Sequence, residues 1–200
     1  MSEKTSKRCG WVGIDNPDYT LYHDEEWGVP KTDDIALFEK LILEGFQSGL
    51  SWLTILRKRE NFRTAFHGFD PERIARYRDR DVSRLMNDAG IVRNRLKIEA
   101  TIANAKAFLE LSKSQSFARF IWSVIDNKPI INRRRSMKDI PAQTDASKQL
   151  SKNLKANGFR FLGPTTAYAF MQSVGMVNDH VTDCIRFEPC AKLQRKFKLR

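Results

Sequence analysis

The sequence predicts an all-α fold on three observations. Apolar residues recur at three- and four-residue spacing, cap residues and glycines bracket those runs, and no alternating period-two pattern competes. With 200 residues, 41% of them hydrophobic and including 13 Phe and 4 Trp, the chain can bury a sizeable core, read here as a single two-lobed domain over 1–200.

The first strong helix is 33–45, opened by Thr32 or Asp33 and carrying Leu37, Phe38, Leu41, Ile42 and Gly45 on one stripe. A second follows over 51–62. Pro71 suits a first helical turn after Asp70, and 79–88 forms a further helix before Gly90. A long helix then presents Ile98, Ile102, Ala105 and Leu109 to the core. After a short helix over 117–125, residues 126–144 read as a basic connector. Helices over 146–157 and 164–174 close the series, stopped by Gly158 and Gly175. Residues 185–200 read as a basic tail.

Thirty-five Lys and Arg against 24 Asp and Glu give a net charge of +11, which favours a polyanionic partner such as nucleic acid or serves solubility alone. The polar stretch 1–10 lacks the apolar centre of a secretory signal, and no run is long enough to span a bilayer. A cytoplasmic protein without membrane contact is expected. Three well-separated cysteines make a poor disulfide framework.

Metal ligation is the better use for two of them. His180 and Cys184, four apart, share a face if that segment makes a helical turn, and Cys9 with His23 supplies a second pair from the other end. Four such ligands fill a tetrahedral zinc shell and leave no place for water, so one structural Zn2+ would staple the ends. Two buried cysteines and two surface histidines fit the same spacing. A catalytic zinc is disfavoured: His23-Asp24-Glu25 matches half of a nucleobase-deaminase signature, but Pro189-Cys190 is followed by Leu193 where a second cysteine belongs.

Residues 85–95, LMNDAGIVRNR, place a glycine turn between two predicted helices. A helix-hairpin-helix over about 79–112 would aim backbone N–H groups near Gly90 at a DNA phosphate, with Arg93 and Arg95 adding charge; an ordinary helix connection reads identically. Glu44 stands at the edge of the apolar stripe of 33–45, either reaching solvent or held as an acceptor for a cationic or amino-bearing ligand. Near it in sequence are Trp11, Tyr19, Tyr22, Trp27 and Trp52, able to stack on a planar base or simply to fill core.

Longer motifs decide between these readings. Arg8-Cys9-Gly10-Trp11 leads to Asn16-Pro17-Asp18-Tyr19-Thr20-Leu21-Tyr22-His23-Asp24-Glu25-Glu26-Trp27-Gly28. Leu43-Glu44-Gly45 leads through Ser48 to Gly49-Leu50-Ser51-Trp52. Gly158-Phe159-Arg160-Phe161-Leu162-Gly163 continues to Tyr168, Phe170-Met171-Gln172, Asn178-Asp179-His180 and Cys184. From Arg8 to Cys184 the chain strongly resembles the DNA-3-methyladenine glycosylase I family of bacterial alkylation repair.

The resemblance implies a helix-hairpin-helix glycosylase acting on double-stranded DNA that contains alkylated adenine and releasing free 3-methyladenine. It assigns Cys9, His23, His180 and Cys184 to a structural zinc, Glu44 to base recognition, and Tyr19, Tyr22 and Trp52 to the pocket, with Trp11 and Trp27 as further members. Gly49 and Leu50 become the candidate wedge that fills the gap left by a flipped base. The enzyme would work as a monomer. Residues 93–110 contain no aspartate and 85–95 no lysine, so neither a hairpin-borne acid nor a Schiff-base lyase step is expected. Two departures stand out. Asn16 occupies a position where aspartate is usual, and Phe46 replaces a polar residue, with an altered pocket mouth or DNA contact as the expected consequence. A DNA-binding module without chemistry and a zinc-dependent nucleic-acid hydrolase are the competing readings.

Overall fold

Ten α-helices and one two-stranded parallel sheet make up most of the regular structure of the computed structural model, which describes residues 7–199. The reading of the polar N-terminus falls partly on residues 1–6, outside that range. Helix α1 spans Pro17–Glu25, α2 Asp34–Gln47 and α3 Trp52–Ala65. Next come α4 (Pro71–Ala75), α5 (Asp79–Asn87), α6 (Arg95–Ser112) and α7 (Phe117–Trp122). The last three are α8 (Asp145–Ala156), α9 (Pro164–Ser173) and α10 (Phe187–Arg195). No helix among the described residues is long and apolar enough to cross a membrane.

Side-chain caps explain where the helices begin. Asp33 accepts from the Ala36 N–H at 2.8 Å, Ser51 from Thr54 at 3.3 Å, Asp70 from Glu72 at 2.9 Å and Asn94 from Lys97 at 3.2 Å. Asn16, one of the two departures, caps α1 through the Tyr19 N–H at 3.4 Å. Helix α2 is the central element. It packs against α3, α6, α7 and α9, and the predicted stripe Leu37, Phe38, Leu41, Ile42 and Gly45 is buried throughout. Burial of each large side chain contributes roughly 1.5–3 kcal/mol. The C-terminal end of α2 is held by the buried Lys97 of α6, whose Nζ donates to Phe46 O at 2.8 Å and Ser48 O at 2.6 Å.

Several expectations change. Phe46 is not at a pocket mouth; it is 1% exposed and packs on Phe62 with ring centroids 4.7 Å apart, because its phase on α2 turns it into the core. On α6 the buried line runs through Ile98, Thr101, Ala105 and Phe108, with Ile102 and Leu109 only half-buried. The connector 126–144 contains strand β1 (Ile130–Ile131), which pairs in parallel with β2 (Val177–Asn178). Two residues per strand are too few to leave an alternating signature. The basic tail is helix α10, anchored by buried Phe187, Cys190, Ala191 and Gln194, and Phe197 beyond it stacks on Trp122 at 4.0 Å.

The stop at Gly175 is set by space as well as by its φ of +74°. A Cβ there would lie 2.4 Å from Pro30 N, where the chain entering α2 crosses the end of α9. Gly175→Ala is therefore expected to destabilise the fold by about 3 kcal/mol, lowering Tm by roughly 6–12 °C. A melting temperature unchanged in that variant would contradict the crossing.

Candidate active site and metal centre

Three residues of α2 at helical spacing, Lys40, Glu44 and Gln47, form a polar line along the helix. Helix α1 brings Tyr19 and Tyr22 against the polar line, α3 brings Trp52, and α9 brings Ala169 and Gln172. With Trp11, Trp27, Ser51, Met137 and Ile140 they enclose a cavity of about 310 Å³, with Glu44 and Gln47 in its wall. All six residues predicted for base binding and catalysis, Trp11, Tyr19, Tyr22, Trp27, Glu44 and Trp52, meet there.

Glu44 does not border the core as its helical phase suggested; it is 3% exposed. Its carboxylate lies 3.8 Å from Lys40 Nζ, and that ammonium donates to the Tyr22 hydroxyl at 2.7 Å. The same nitrogen sits over the Trp52 ring at 3.8 Å from the centroid and over Tyr22 at 4.4 Å. Burial pushes Glu44 above the usual carboxylate range, opposed by the Lys40 charge. Burial likewise pulls Lys40 down to about 8, with Glu44 and Glu26 resisting. The pair therefore keeps a buried charge next to the cavity at small net charge.

The aromatic walls are mutually braced. Trp11 meets Tyr19 edge-on at 5.4 Å and Trp27 at 5.2 Å, and Tyr22 lies 5.4 Å from Trp52. Tyr19 is further tied to the start of α3 by accepting the Leu53 N–H at 2.9 Å. In the cavity wall, Trp52 Nε1 is buried without a hydrogen bond. A buried donor of this kind calls for a ligand atom or water.

Behind the Trp11 and Trp27 wall lie Cys9, His23, His180 and Cys184, all buried, with ligand atoms within 4.8 Å of one another. This group can hold a metal ion. Cys184 Sγ is 3.3 Å from His23 Nε2 and 3.5 Å from His180 Nδ1, and Cys9 Sγ is 3.6 Å from His180 Nδ1. The other ring nitrogens are engaged outward: His23 Nδ1 with Asp24 at 2.7 Å, and His180 Nε2 with Trp27 O at 3.1 Å. Arg8 fixes Asp24 in turn, at 2.7–2.9 Å. Residues 180–184 form a turn, not the helical turn that the four-residue spacing suggested. The ligands converge because strand β2 and the Cys184 turn fold back together. Gly28 (φ +83°) leaves room for His180, whose Nε2 would lie 3.1 Å from an added Cβ.

The remaining predicted positions lie on the surface. Leu50 is 42% exposed beside Gly49, whose φ is +81°. Arg93, in the connection from α5 to α6, and Arg95, the first residue of α6, are exposed; in that connection Gly90 O accepts from Lys58 and Asn61, both at 3.3 Å. Glu99 and Glu110 are exposed and paired with Arg95 and Lys113, so neither enters the cavity. Sequence reasoning missed Lys40, Gln47, Ser51, Met137, Ile140, Ala169 and Gln172 as site residues. The i, i+4, i+7 polar line through Glu44 is the signal that would have found the first two.

A flat, amino-bearing heterocycle is what such a slot accommodates, and similarity in sequence puts the chain among the DNA glycosylases, which hydrolyse the N-glycosidic bond between base and sugar. More narrowly, a model of the methyladenine glycosylase family matches residues 11–187, and the chain belongs to that family. It is 51% identical over 179 residues to DNA-3-methyladenine glycosylase 1 of Escherichia coli, covering 89% of this chain and 95% of the relative. It is 50% identical over 184 residues to DNA-3-methyladenine glycosylase of Haemophilus influenzae, covering 92% and 97%. A solved structure of a 3-methyladenine DNA glycosylase I variant in complex with 3-methyladenine matches with a TM-score of 0.86 at 39% identity, covering 90% of this chain and 97% of that one.

Proposed function

We propose that the chain extrudes 3-methyladenine nucleotides from duplex DNA and hydrolyses the glycosidic bond, leaving an abasic site without cleaving the strand. The observation that carries this reading is the buried Glu44 carboxylate in a cavity walled by Tyr22, Trp52 and Trp11. Methylation at N3 makes the nucleoside cationic, so the base departs neutral and its bond to the sugar is already weak. Recognition then matters more than acid catalysis. Glu44 accepts from the adenine edge, the rings of Tyr22 and Trp52 stack on the base, and their electron-rich faces favour the cationic form over adenine. Trp52 Nε1 has its donor free for a ligand acceptor.

The exposed Leu50, on the Gly49 turn that follows α2, is suited to enter the space the base vacates. The connection from α5 to α6, with Gly90, Arg93 and Arg95, serves as a phosphate-binding hairpin. The metal is zinc, held by Cys9, His23, His180 and Cys184. For Zn–S of about 2.3 Å and Zn–N of about 2.0–2.1 Å, a tetrahedron has S···N edges of roughly 3.6 Å, against 3.3–3.6 Å found. Four protein ligands complete the shell, so the ion's contribution is structural: Trp27 packs on His180 at 4.5 Å and Trp11 on His23 at 5.3 Å, which fixes two pocket walls.

Chromatography of bases released from methylated duplex DNA tests the reading. Free 3-methyladenine with intact strands is expected, and strand nicks or no released base would refute it. The rate should also depend on pH through Glu44. Protonation removes both its charge and an acceptor, so excision falls as pH drops through the Glu44 pKa. Because burial raises that pKa, the fall begins above the ordinary carboxylate value of about 4.3. A carboxyl raised in the folded state favours folding when protonated, so as pH falls this group costs activity without costing stability. A rate flat down to pH 4, with the protein folded, would remove Glu44 from recognition.

A further inference from the structure

We propose that Arg133 and Arg135 form a second phosphate-binding element, on the lip of the base cavity and separate from the connection between α5 and α6. The inference rests on the reading of that cavity as the entry point of an extruded nucleotide. Three consecutive arginines, Arg133-Arg134-Arg135, follow strand β1. The backbone that carries them is pinned on both sides. Asn132 N–H donates to Asn178 O at 3.2 Å, and Arg134 O accepts from the Thr182 N–H at 2.8 Å, which ties the segment to the stretch bearing His180 and Cys184. On its far side, the Asp139 carboxylate accepts from the N–H groups of Arg135 at 3.1 Å and Ser136 at 2.9 Å.

Side chains alternate along extended backbone, and here the alternation sorts the three arginines. Arg134 turns inward, with Nε 3.6 Å from the buried Asp179. Asp179 also accepts from Gln172, a cavity residue, at 2.7 Å. Arg133 and Arg135 turn outward and are exposed. Neither enters an ion pair among the described residues, and the nearest acid in sequence, Asp139, is committed to backbone N–H groups. Two residues after Arg135 comes Met137, and then Ile140; both line the cavity. The result is a pair of exposed guanidinium groups without counter-charge, on constrained backbone that leads within a few residues into the cavity wall at Met137 and Ile140. Their attachment points are roughly 6.6 Å apart along an extended chain, so each can take its own phosphate, and the planar guanidinium fork suits phosphate oxygens. Phosphate contacts of this kind hold register without reading sequence.

The test is the double variant Arg133→Gln, Arg135→Gln, at two exposed positions. Its affinity for a duplex oligonucleotide containing a stable abasic-site analogue is measured across a salt series. Release of 3-methyladenine from methylated DNA and binding of the free base are followed alongside. The expected result is a salt slope reduced in magnitude by about 2 and a Kd for duplex raised about 10-fold or more, with free-base binding and the rate at saturating DNA unchanged. An unchanged slope and affinity would overturn the proposal, and so would weakened free-base binding, which would place the defect in the pocket. A wild-type chain that released no 3-methyladenine would instead sink the base-excision reading.

Discussion

Glu44→Gln is expected to slow release of 3-methyladenine about 100-fold, equivalent to ~2.7 kcal/mol of transition-state stabilisation, while leaving the melting temperature and duplex affinity near those of the parent. The substitution keeps shape and one acceptor oxygen but removes the negative charge that faces a cationic base. It also leaves Lys40 without its partner at 3.8 Å. An uncompensated buried cation would cost several kcal/mol, but burial already draws Lys40 down to about 8, so the ammonium can shed its proton instead of unfolding the site. Base release, thermal melting and duplex binding measured on one preparation separate these effects. Excision at the parental rate would eliminate the carboxylate from the mechanism.

Removal of the metal is expected to have the largest effect on stability. Protein purified without added metal should contain one equivalent of zinc, and its loss by chelation or by Cys184→Ala should lower Tm by about 10 °C or more. An ion held by the four residues would join α1 and the Cys9 segment to the turn after β2, regions far apart in sequence. A clasp contributing at least about 4 kcal/mol would shift a chain of this size by roughly 2–4 °C per kcal/mol. Because the shell is closed, activity should track the folded fraction and not the metal as such. A metal-free preparation as stable as the original would refute the clasp, and abrupt loss of activity in fully folded, metal-free protein would indicate a catalytic ion.

The helices were legible where local chemistry sets them. The apolar stripe of α2, the caps Asp33 and Ser51 and the glycine stops at 158 and 175 are all local features, and each is found in place. Elements whose cause is not local were missed. The strands β1 and β2 exist only because two segments about 47 residues apart meet at Ile130 and Val177, and α10 looked like a tail because its few apolar residues matter only against the body they cover.

The site divides the same way. By itself the sequence determined the chemical inventory: the acid, the aromatic group, the four residues able to hold a metal and the motifs that join them to one family. It left open whether Glu44, at the edge of the α2 stripe, reached solvent or was held in a pocket, and it expected Phe46 to alter the pocket mouth or a DNA contact, whereas both are buried, Glu44 in the cavity wall and Phe46 in the core. Only the tertiary structure decided this, because burial of a polar group depends on what packs over it. Tyr22 and Trp52 close over Lys40 and Glu44 from other helices, and the charge pair then becomes the buried feature on which the proposed base recognition rests. The arginines before Met137 follow the same logic: spacing along the chain puts them next to Met137, but only the pairing across β1 and β2 and the Thr182 N–H bond to Arg134 O hold that segment against the rest of the fold.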